Sequence, residues 1–140
     1  MKLMLSLLAL AIATPAATAE EVTIEHYYRI KWGSSWEFKK LYKANHEPIL
    51  KEMQRQGFIT AMKVEEPFTH MAGDQRWDMR VTITYRDAQS AVGAGGAYDN
   101  KVGEVMKRLY PDEAKLDADE IRRFSLLEEH WDVIVTSAGD

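Results

Sequence analysis

Two stretches of the sequence alternate with a period of two, and this alternation limits the possible folds more than any other feature. In residues 22–32 one alternate set is mostly apolar or aromatic: Val22, Ile24, His26, Tyr28, Ile30 and Trp32. In residues 77–85 the corresponding set is Trp77, Met79, Val81, Ile83 and Tyr85. Successive side chains of a strand point to opposite faces of a sheet, so both stretches are predicted to be β-strands with one buried face.

A helical pattern follows the first predicted strand. Ser34, with Glu37 three residues later, matches a capping box and predicts a helix start, and Gly57 fits a C-terminal cap. The residues that share one face at helical spacing are Phe38, Leu41, Tyr42, Asn45, His46, Ile49 and Met53. Pro48 removes a backbone donor inside this span, so we expect a kink or two helical pieces.

The remaining chain predicts a second strand at 58–66, a broken helical region and a last strand at 126–135. Asp87 can cap helix that begins near Ala88, and the glycines of residues 93–96 should interrupt it. Helix is expected to resume at 98–109 and again from Pro111-Asp112 to residue 125. The order β-α-β-β-α-β predicts one α+β domain at 20–136, followed by a tail at 137–140. This ferredoxin-like domain has an antiparallel four-stranded sheet with helices on one face, which carries the alternate set of residues 77–85.

Residues 38–50 resemble the helix signature of the EthD family. That signature has an aromatic residue, a second aromatic four positions on, and His-x-Pro followed by an aliphatic residue, here Phe38, Tyr42, His46, Pro48 and Ile49. The broader resemblance is to the dimeric α+β barrel superfamily, which includes EthD-like, NIPSNAP-like and stress-responsive barrel proteins. It implies a homodimer whose sheets pair into one barrel, with a ligand pocket under the helices or within the barrel. The superfamily hosts several unrelated activities, so fold alone does not choose among them.

Histidines are the main candidates for chemistry. His46 is predicted to be an acid/base or ligand-orienting residue, and a packing histidine is the alternative. His130 is predicted to share a sheet face with polar residues of neighbouring strands: Tyr27, Arg29, Asp78 and Arg80. Such a cluster would bind polar groups, whereas the alternative is an ordinary dimer interface or solvated face. His26, on the apolar face of the first strand, is expected to be a core histidine.

The resemblance to the EthD family implies an enzyme that acts on a small aromatic or carbonyl compound by proton transfer or cofactor-free oxygenation. His46, His130 and Arg80 are the catalytic candidates. The ligand-binding candidates are Tyr27, Arg29, Trp36, Tyr42 and Asp78. The alternative is a non-catalytic cell-envelope protein that binds a small ligand or a partner chain.

We expect neither a protein-bound metal nor a cofactor. The histidines include no close pair, and His46-Glu47 fails the His-Glu-x-x-His pattern because positions 48 and 50 are Pro and Leu. Without cysteine there is no thiolate zinc site and no Cys-x-x-Cys-His haem attachment, although an axial role for His46 or His130 stays open. With 22 acidic against 18 basic residues, the net charge of −4 argues against nucleic-acid binding.

Residues 1–19 are typical of a secretory signal peptide. Lys2 precedes an apolar run at 3–13, Pro15 breaks the run, and Ala17-Thr18-Ala19 matches a small-x-small cleavage site. The run is shorter than the roughly 20 residues that span a bilayer. We therefore expect cleavage before Glu20, no membrane anchor afterwards, and a periplasmic or secreted protein of a bacterial cell envelope. The alternative is a buried N-terminal helix.

Overall fold

Four strands form one antiparallel sheet in the computed structural model, which describes residues 20–136. The strands are β1 (Val22–Ile30), β2 (Ile59–Glu65), β3 (Met79–Tyr85) and β4 (Leu127–Val135). Their order across the sheet is β2-β3-β1-β4, so the first and third strands lie in the middle. The predicted signal peptide at 1–19 and the predicted tail at 137–140 lie outside the described residues.

The first helical region consists of two α-helices joined by a π-helical turn, as the position of Pro48 predicts. Helix α1 (Ser35–Leu41) passes into the turn Tyr42–His46, and α2 (Glu47–Arg55) follows. Pro48 lies in the first turn of α2 and cannot donate to the Ala44 carbonyl four residues before it, which instead accepts the Tyr110 hydroxyl at 2.8 Å. The helix begins where the sequence predicts, but the predicted capping box does not form. Ser34 makes no side-chain cap bond, and the Glu37 carboxylate instead pairs with Arg122 at 2.7 and 2.8 Å.

The second helical region is divided into three helices, and its breaks lie where the sequence predicts them. Helix α3 (Ala88–Val92) begins with Asp87, whose Oδ1 accepts the Ser90 N–H at 2.6 Å. The glycines separate α3 from α4 (Ala97–Leu109). Helix α5 (Glu113–Ser125) begins with Asp112, whose Oδ1 accepts the Lys115 N–H at 3.0 Å.

The helices cover one face of the sheet and form the core with it. The buried sheet residues on this face are Ile24, Tyr28, Ile30, Met79, Val81, Ile83 and Tyr85. The residues of the first helical region that pack against them are Phe38, Tyr42, Ile49, Leu50 and Met53. The predicted α+β, ferredoxin-like architecture is therefore confirmed. None of the helices within residues 20–136 is long and apolar enough to cross a membrane.

Trp77 does not continue the buried set of β3, contrary to expectation. The strand begins at Met79, and Trp77 packs edge-on against Tyr27 with ring centroids 6.0 Å apart. Tyr27 belongs to the alternate set of β1 that faces away from the helices. The period-two pattern of β3 therefore does not extend to residues 77–78, because these residues precede Met79, the first residue of the strand that pairs with β1.

The other sheet face carries no helix among the described residues, and we call it the open face. Tyr27 and Trp131 stack on it with ring centroids 5.2 Å apart and planes 3° from parallel. Arg80 pairs there with Glu65 at 2.7 Å. Val133, close to half exposed, adds apolar surface. The open face thus combines aromatic stacking, ion pairs and apolar area.

Candidate functional site

A cavity of about 200 Å³ lies between the sheet and the helices, and we call it the histidine pocket. Its polar side chains are His26, Tyr28, His46, Tyr85, Arg123 and His130. Its apolar side chains are Leu50, Val81, Ile83 and Phe124. Three of the four histidines of the chain therefore line one cavity, although they are far apart in sequence.

His130 reaches this pocket because of the pairing between β1 and β4. Tyr28 lies directly opposite His130, and the two rings stack with centroids 4.5 Å apart and planes 5° from parallel. The Nδ1 atom of His130 lies 2.8 Å from the carbonyl oxygen of Tyr27. A carbonyl oxygen only accepts, so Nδ1 carries the proton and Nε2 keeps a lone pair.

The prediction that His130 shares a face with Tyr27, Arg29 and Arg80 is wrong. Those three residues lie on the open face, where Trp131 is the neighbour from β4. Side chains alternate along a strand, so the register that sets His130 opposite Tyr28 sends it to the helix side. The structure therefore separates His130 from Arg80.

His46 is the last residue of the π-helical turn and approaches the pocket from the helix side. Its ring lies 5.4 Å from the ring of Tyr42. Burial, followed by the positive charge of nearby Arg123, lowers the pKa of His46 to about 4. The imidazole is therefore neutral near pH 7, since burial in a low-dielectric site disfavours the charged form.

Arg123 is a pocket residue that the sequence analysis missed. Residues 112–123 mix acidic and basic side chains, a pattern typical of a solvated helix face, yet Arg123 is only 2% exposed. Its guanidinium bonds the Glu120 carboxylate at 3.1 and 2.6 Å, while its buried Nη1 has no partner among the described residues. Helical spacing could have indicated its burial, because Arg123 lies seven residues after the buried Leu116 and so on the same face of α5.

The tyrosines of the pocket stay protonated at neutral pH. Burial raises the pKa of Tyr28 to about 12, and the nearby charge of Arg123 offsets part of that effect. Burial also raises the pKa of Tyr85. Both phenol groups are therefore hydrogen-bond donors rather than bases in this site.

His26 is not sealed in the core as expected, because it pairs with a residue of the edge strand. Its Nδ1 lies 2.7 Å from Oδ1 of Asp132, and its side chain is 18% exposed. The buried Nε2 has no hydrogen-bond partner among the described residues. His26 therefore joins the pocket as a third histidine, which its place among apolar residues did not indicate.

The other predicted ligand residues lie outside the pocket. Trp36 is 74% exposed, and Tyr42 is buried in the core beside His46 without lining the cavity. Asp78 accepts the Ile30 backbone N–H at 2.7 Å near the end of β1. Of the predicted catalytic residues, His46 and His130 are brought together and Arg80 is not.

Solved structures share this fold. A dimeric ferredoxin-like protein from an uncultured marine organism is 8% identical, with a TM-score of 0.52 over 88% of this chain and 95% of that chain. A dimeric ferredoxin-like protein from Thermobifida fusca is 8% identical, with a TM-score of 0.51 over 89% of this chain and 97% of its own. An EthD family protein from Bacillus halodurans is 15% identical, with a TM-score of 0.49 over 84% and 99% of the two chains. No family model matches the chain, and no curated protein matches it in sequence.

The chain therefore has the ferredoxin-like fold of these two dimeric proteins. The resemblance predicted from residues 38–50 is confirmed as a likeness of fold alone. At these identities a shared fold does not carry over the chemistry of the pocket, which depends on its own side chains.

We predict that His46 makes stability depend on pH. The pKa of the ring is about 6.5 in the unfolded chain, the ordinary histidine value, and about 4 in the folded chain, so between these values the unfolded chain binds the proton more tightly. The free energy of unfolding is therefore highest above pH about 6.5 and falls as the pH drops toward 4. The difference amounts to roughly 3 kcal/mol of unfolding free energy. Urea unfolding of His46→Gln between pH 7 and pH 4 should show a correspondingly weaker pH dependence than the parent protein.

The matched control is His70→Gln, which changes an exposed loop histidine. It should retain the full pH dependence of the parent. Equal pH dependence in the His46→Gln and parent proteins would contradict a buried, neutral His46.

Proposed function

We propose that the histidine pocket binds a small one-ring aromatic or carbonyl compound and transfers a proton to or from it. The observation that carries this proposal is the convergence of His46, His130 and Arg123 on one cavity from three separate elements. A buried guanidinium with an unpartnered N–H can stabilise an oxygen that gains negative charge, and an adjacent imidazole can accept or donate a proton.

The size and lining of the cavity set the class of compound. A cavity of about 150 Å³ is enough to bind benzene, so about 200 Å³ accommodates one ring with a small substituent. Aliphatic side chains and Phe124 supply apolar contacts, and the polar groups are few. Small-molecule sites commonly combine apolar walls with a few convergent polar groups.

Each polar group has a role that follows from its state. Arg123 would donate through Nη1 to a substrate oxygen and stabilise the negative charge that develops there. His130 would accept the proton at Nε2, because its Nδ1 is held by the Tyr27 carbonyl. His46, neutral at pH 7, would orient the substrate by a hydrogen bond.

The rival function is a non-catalytic ligand-binding protein. In that case the same groups hold a ligand and move no proton. The buried Arg123, already bonded to Glu120, would then serve only to recognise an acceptor oxygen. Proton exchange into a simple probe separates the two functions.

Acetophenone is a suitable probe because it combines one ring with an enolisable methyl ketone. We predict that the protein accelerates exchange of its methyl protons with D2O, as followed by ¹H NMR, over buffer alone. His130→Ala should lower the protein-catalysed rate by about 100-fold or more, the usual contribution of a general base. His70→Ala, which changes a histidine outside the pocket, should leave the rate unchanged.

The outcomes distinguish catalysis from binding. Binding of acetophenone without exchange supports the non-catalytic rival. An unchanged rate in His130→Ala, with folding checked by circular dichroism, contradicts the proposed base. Native mass spectrometry of the purified protein tests for a retained natural ligand. The same measurement on His46→Ala and His130→Ala tests whether the ligand is lost when either histidine is removed.

We also propose that two copies pair through their open faces. The Tyr27–Trp131 stack and the half-exposed Val133 and Val135 give this face apolar area that needs cover. A two-fold dimer is the usual way to cover such a face, and two structural neighbours with TM-scores above 0.5 are dimeric ferredoxin-like proteins.

Light scattering at micromolar concentration should therefore give twice the chain mass. Trp131→Glu places an unpaired charge in the centre of the proposed interface and should give a monomer. Phe68→Glu is the control, because Phe68 is fully exposed in a loop and its replacement should leave the dimer intact. A monomeric parent protein would contradict the proposed pairing.

We further propose that the chain is exported and processed, on the basis of the charged start, apolar run and cleavage pattern of residues 1–19. Expression of the full sequence in a bacterium, followed by N-terminal sequencing, should give a chain that starts at Glu20. Ala19→Tyr should block cleavage there, because signal peptidase sites require a small residue at that position. A cytoplasmic chain that retains Met1 would contradict export.

A further inference from the structure

His26, His130 and Asp132 bring potential metal ligands together on the helix side of β1 and β4. One ligand atom from each residue lies within 4.8 Å of the other two. Nδ1 of His26 lies 2.7 Å and Nε2 of His130 lies 3.6 Å from Oδ1 of Asp132. We propose that these three side chains bind a divalent transition-metal ion of the Zn²⁺ type.

The hydrogen bonding of His130 prepares it as a ligand. Its Nδ1–H donates to the Tyr27 carbonyl at 2.8 Å, which leaves a lone pair on Nε2, 3.6 Å from Oδ1 of Asp132. Two acceptor atoms this close to each other repel, and a cation bound by both removes the repulsion. Metal-binding histidines are commonly oriented in this way, by a hydrogen bond from the other ring nitrogen to a carbonyl.

The separations of the two histidine nitrogens from Asp132 fit one ion with a small adjustment. Two ligands of a tetrahedral Zn²⁺ lie about 3.4 Å apart when each is about 2.1 Å from the ion. The His130–Asp132 separation of 3.6 Å is close to this value. His26 and Asp132 must separate by about 0.7 Å, the difference between that spacing and their hydrogen-bond distance. The Asp132 side chain is 53% exposed and can make this movement.

Metal binding by His26 also requires a change of tautomer, which its surroundings allow. Nδ1 must release it to bind an ion, and the neutral imidazole then carries it on Nε2. That nitrogen has no hydrogen-bond partner among the described residues, so nothing there prevents it from being protonated. The change of tautomer therefore breaks only the hydrogen bond to Asp132, which coordination replaces.

The donor set and local charge favour a transition metal. Two imidazole nitrogens and one carboxylate suit Zn²⁺ or a similar ion, whereas Mg²⁺ and Ca²⁺ prefer oxygen ligands. The three ligands together carry one negative charge when both imidazoles are neutral. Arg123 lines the same pocket, but its two hydrogen bonds to the Glu120 carboxylate offset part of its positive charge.

Three protein ligands leave an open coordination position, as in catalytic rather than structural zinc sites. His26 and His130 both line the histidine pocket, so a water on that position would lie at its wall. The ion would bind the Nε2 lone pair of His130, so His130 itself would no longer accept a proton. A water bound to the ion, with its pKa lowered to about 7, would be the base instead. This last step rests on the proposed function, whereas metal binding itself does not.

Calorimetric titration of the metal-stripped protein with ZnCl2 tests the site. We expect one ion bound per chain and a loss of affinity of at least about tenfold in Asp132→Asn. Glu129→Gln is the matched control, because Glu129 is an exposed carboxylate of the same strand that pairs with Arg29 on the open face. It should bind zinc as the parent does. Co²⁺ in place of Zn²⁺ should give the visible spectrum of a tetrahedral site.

Failure of stoichiometric binding, or equal affinity in Asp132→Asn and the parent, would overturn the proposed metal site. If Asp132→Asn does not fold, His130→Gln provides the same comparison. Acetophenone exchange measured with and without Zn²⁺ keeps the two proposals apart. Exchange without zinc binding removes the metal site alone, and zinc binding without exchange removes the catalytic function alone.

Discussion

The register between β1 and β4 is the constraint on which the site depends. It sets Tyr28 opposite His130 and His26 opposite Asp132, and it sends all four side chains to the helix side of the sheet. A shift of one residue would turn His130 to the open face and bring Trp131 into the pocket. The stacking of His130 on Tyr28 and its bond to the Tyr27 carbonyl both favour the observed register.

The helices supply the opposite wall of the pocket, and a π-helical turn makes their contribution possible. The turn ends at His46, just before Pro48, and Asn45 within it donates to the Asp119 carboxylate at 3.1 Å. That hydrogen bond ties the turn to α5, the helix that carries Arg123. The two helical regions therefore place an imidazole and a guanidinium on the same cavity.

Electrostatics inside the pocket follow from the burial of Arg123. A buried guanidinium without a counter-charge would be strongly unfavourable, and Glu120 on the same helix supplies one through a two-fold hydrogen bond. The remaining positive potential helps to keep His46 neutral and lowers the pKa of Tyr28 relative to burial alone. Burial and, to a smaller extent, this ion pair thus set the protonation states of the two neighbours.

The sequence by itself determined the order of elements, the break before Pro48 and the glycine break between α3 and α4, because periodicity and backbone restrictions are local. It also brought out His46 and His130 as candidates. The tertiary structure alone decided that His130 lies away from Arg80, that Arg123 is buried, and that His26 meets Asp132. Those contacts join residues tens of positions apart, and β1–β4 pairing joins residues about 100 apart. Residue spacing carries no record of register, so only the folded chain shows which side chains share a face.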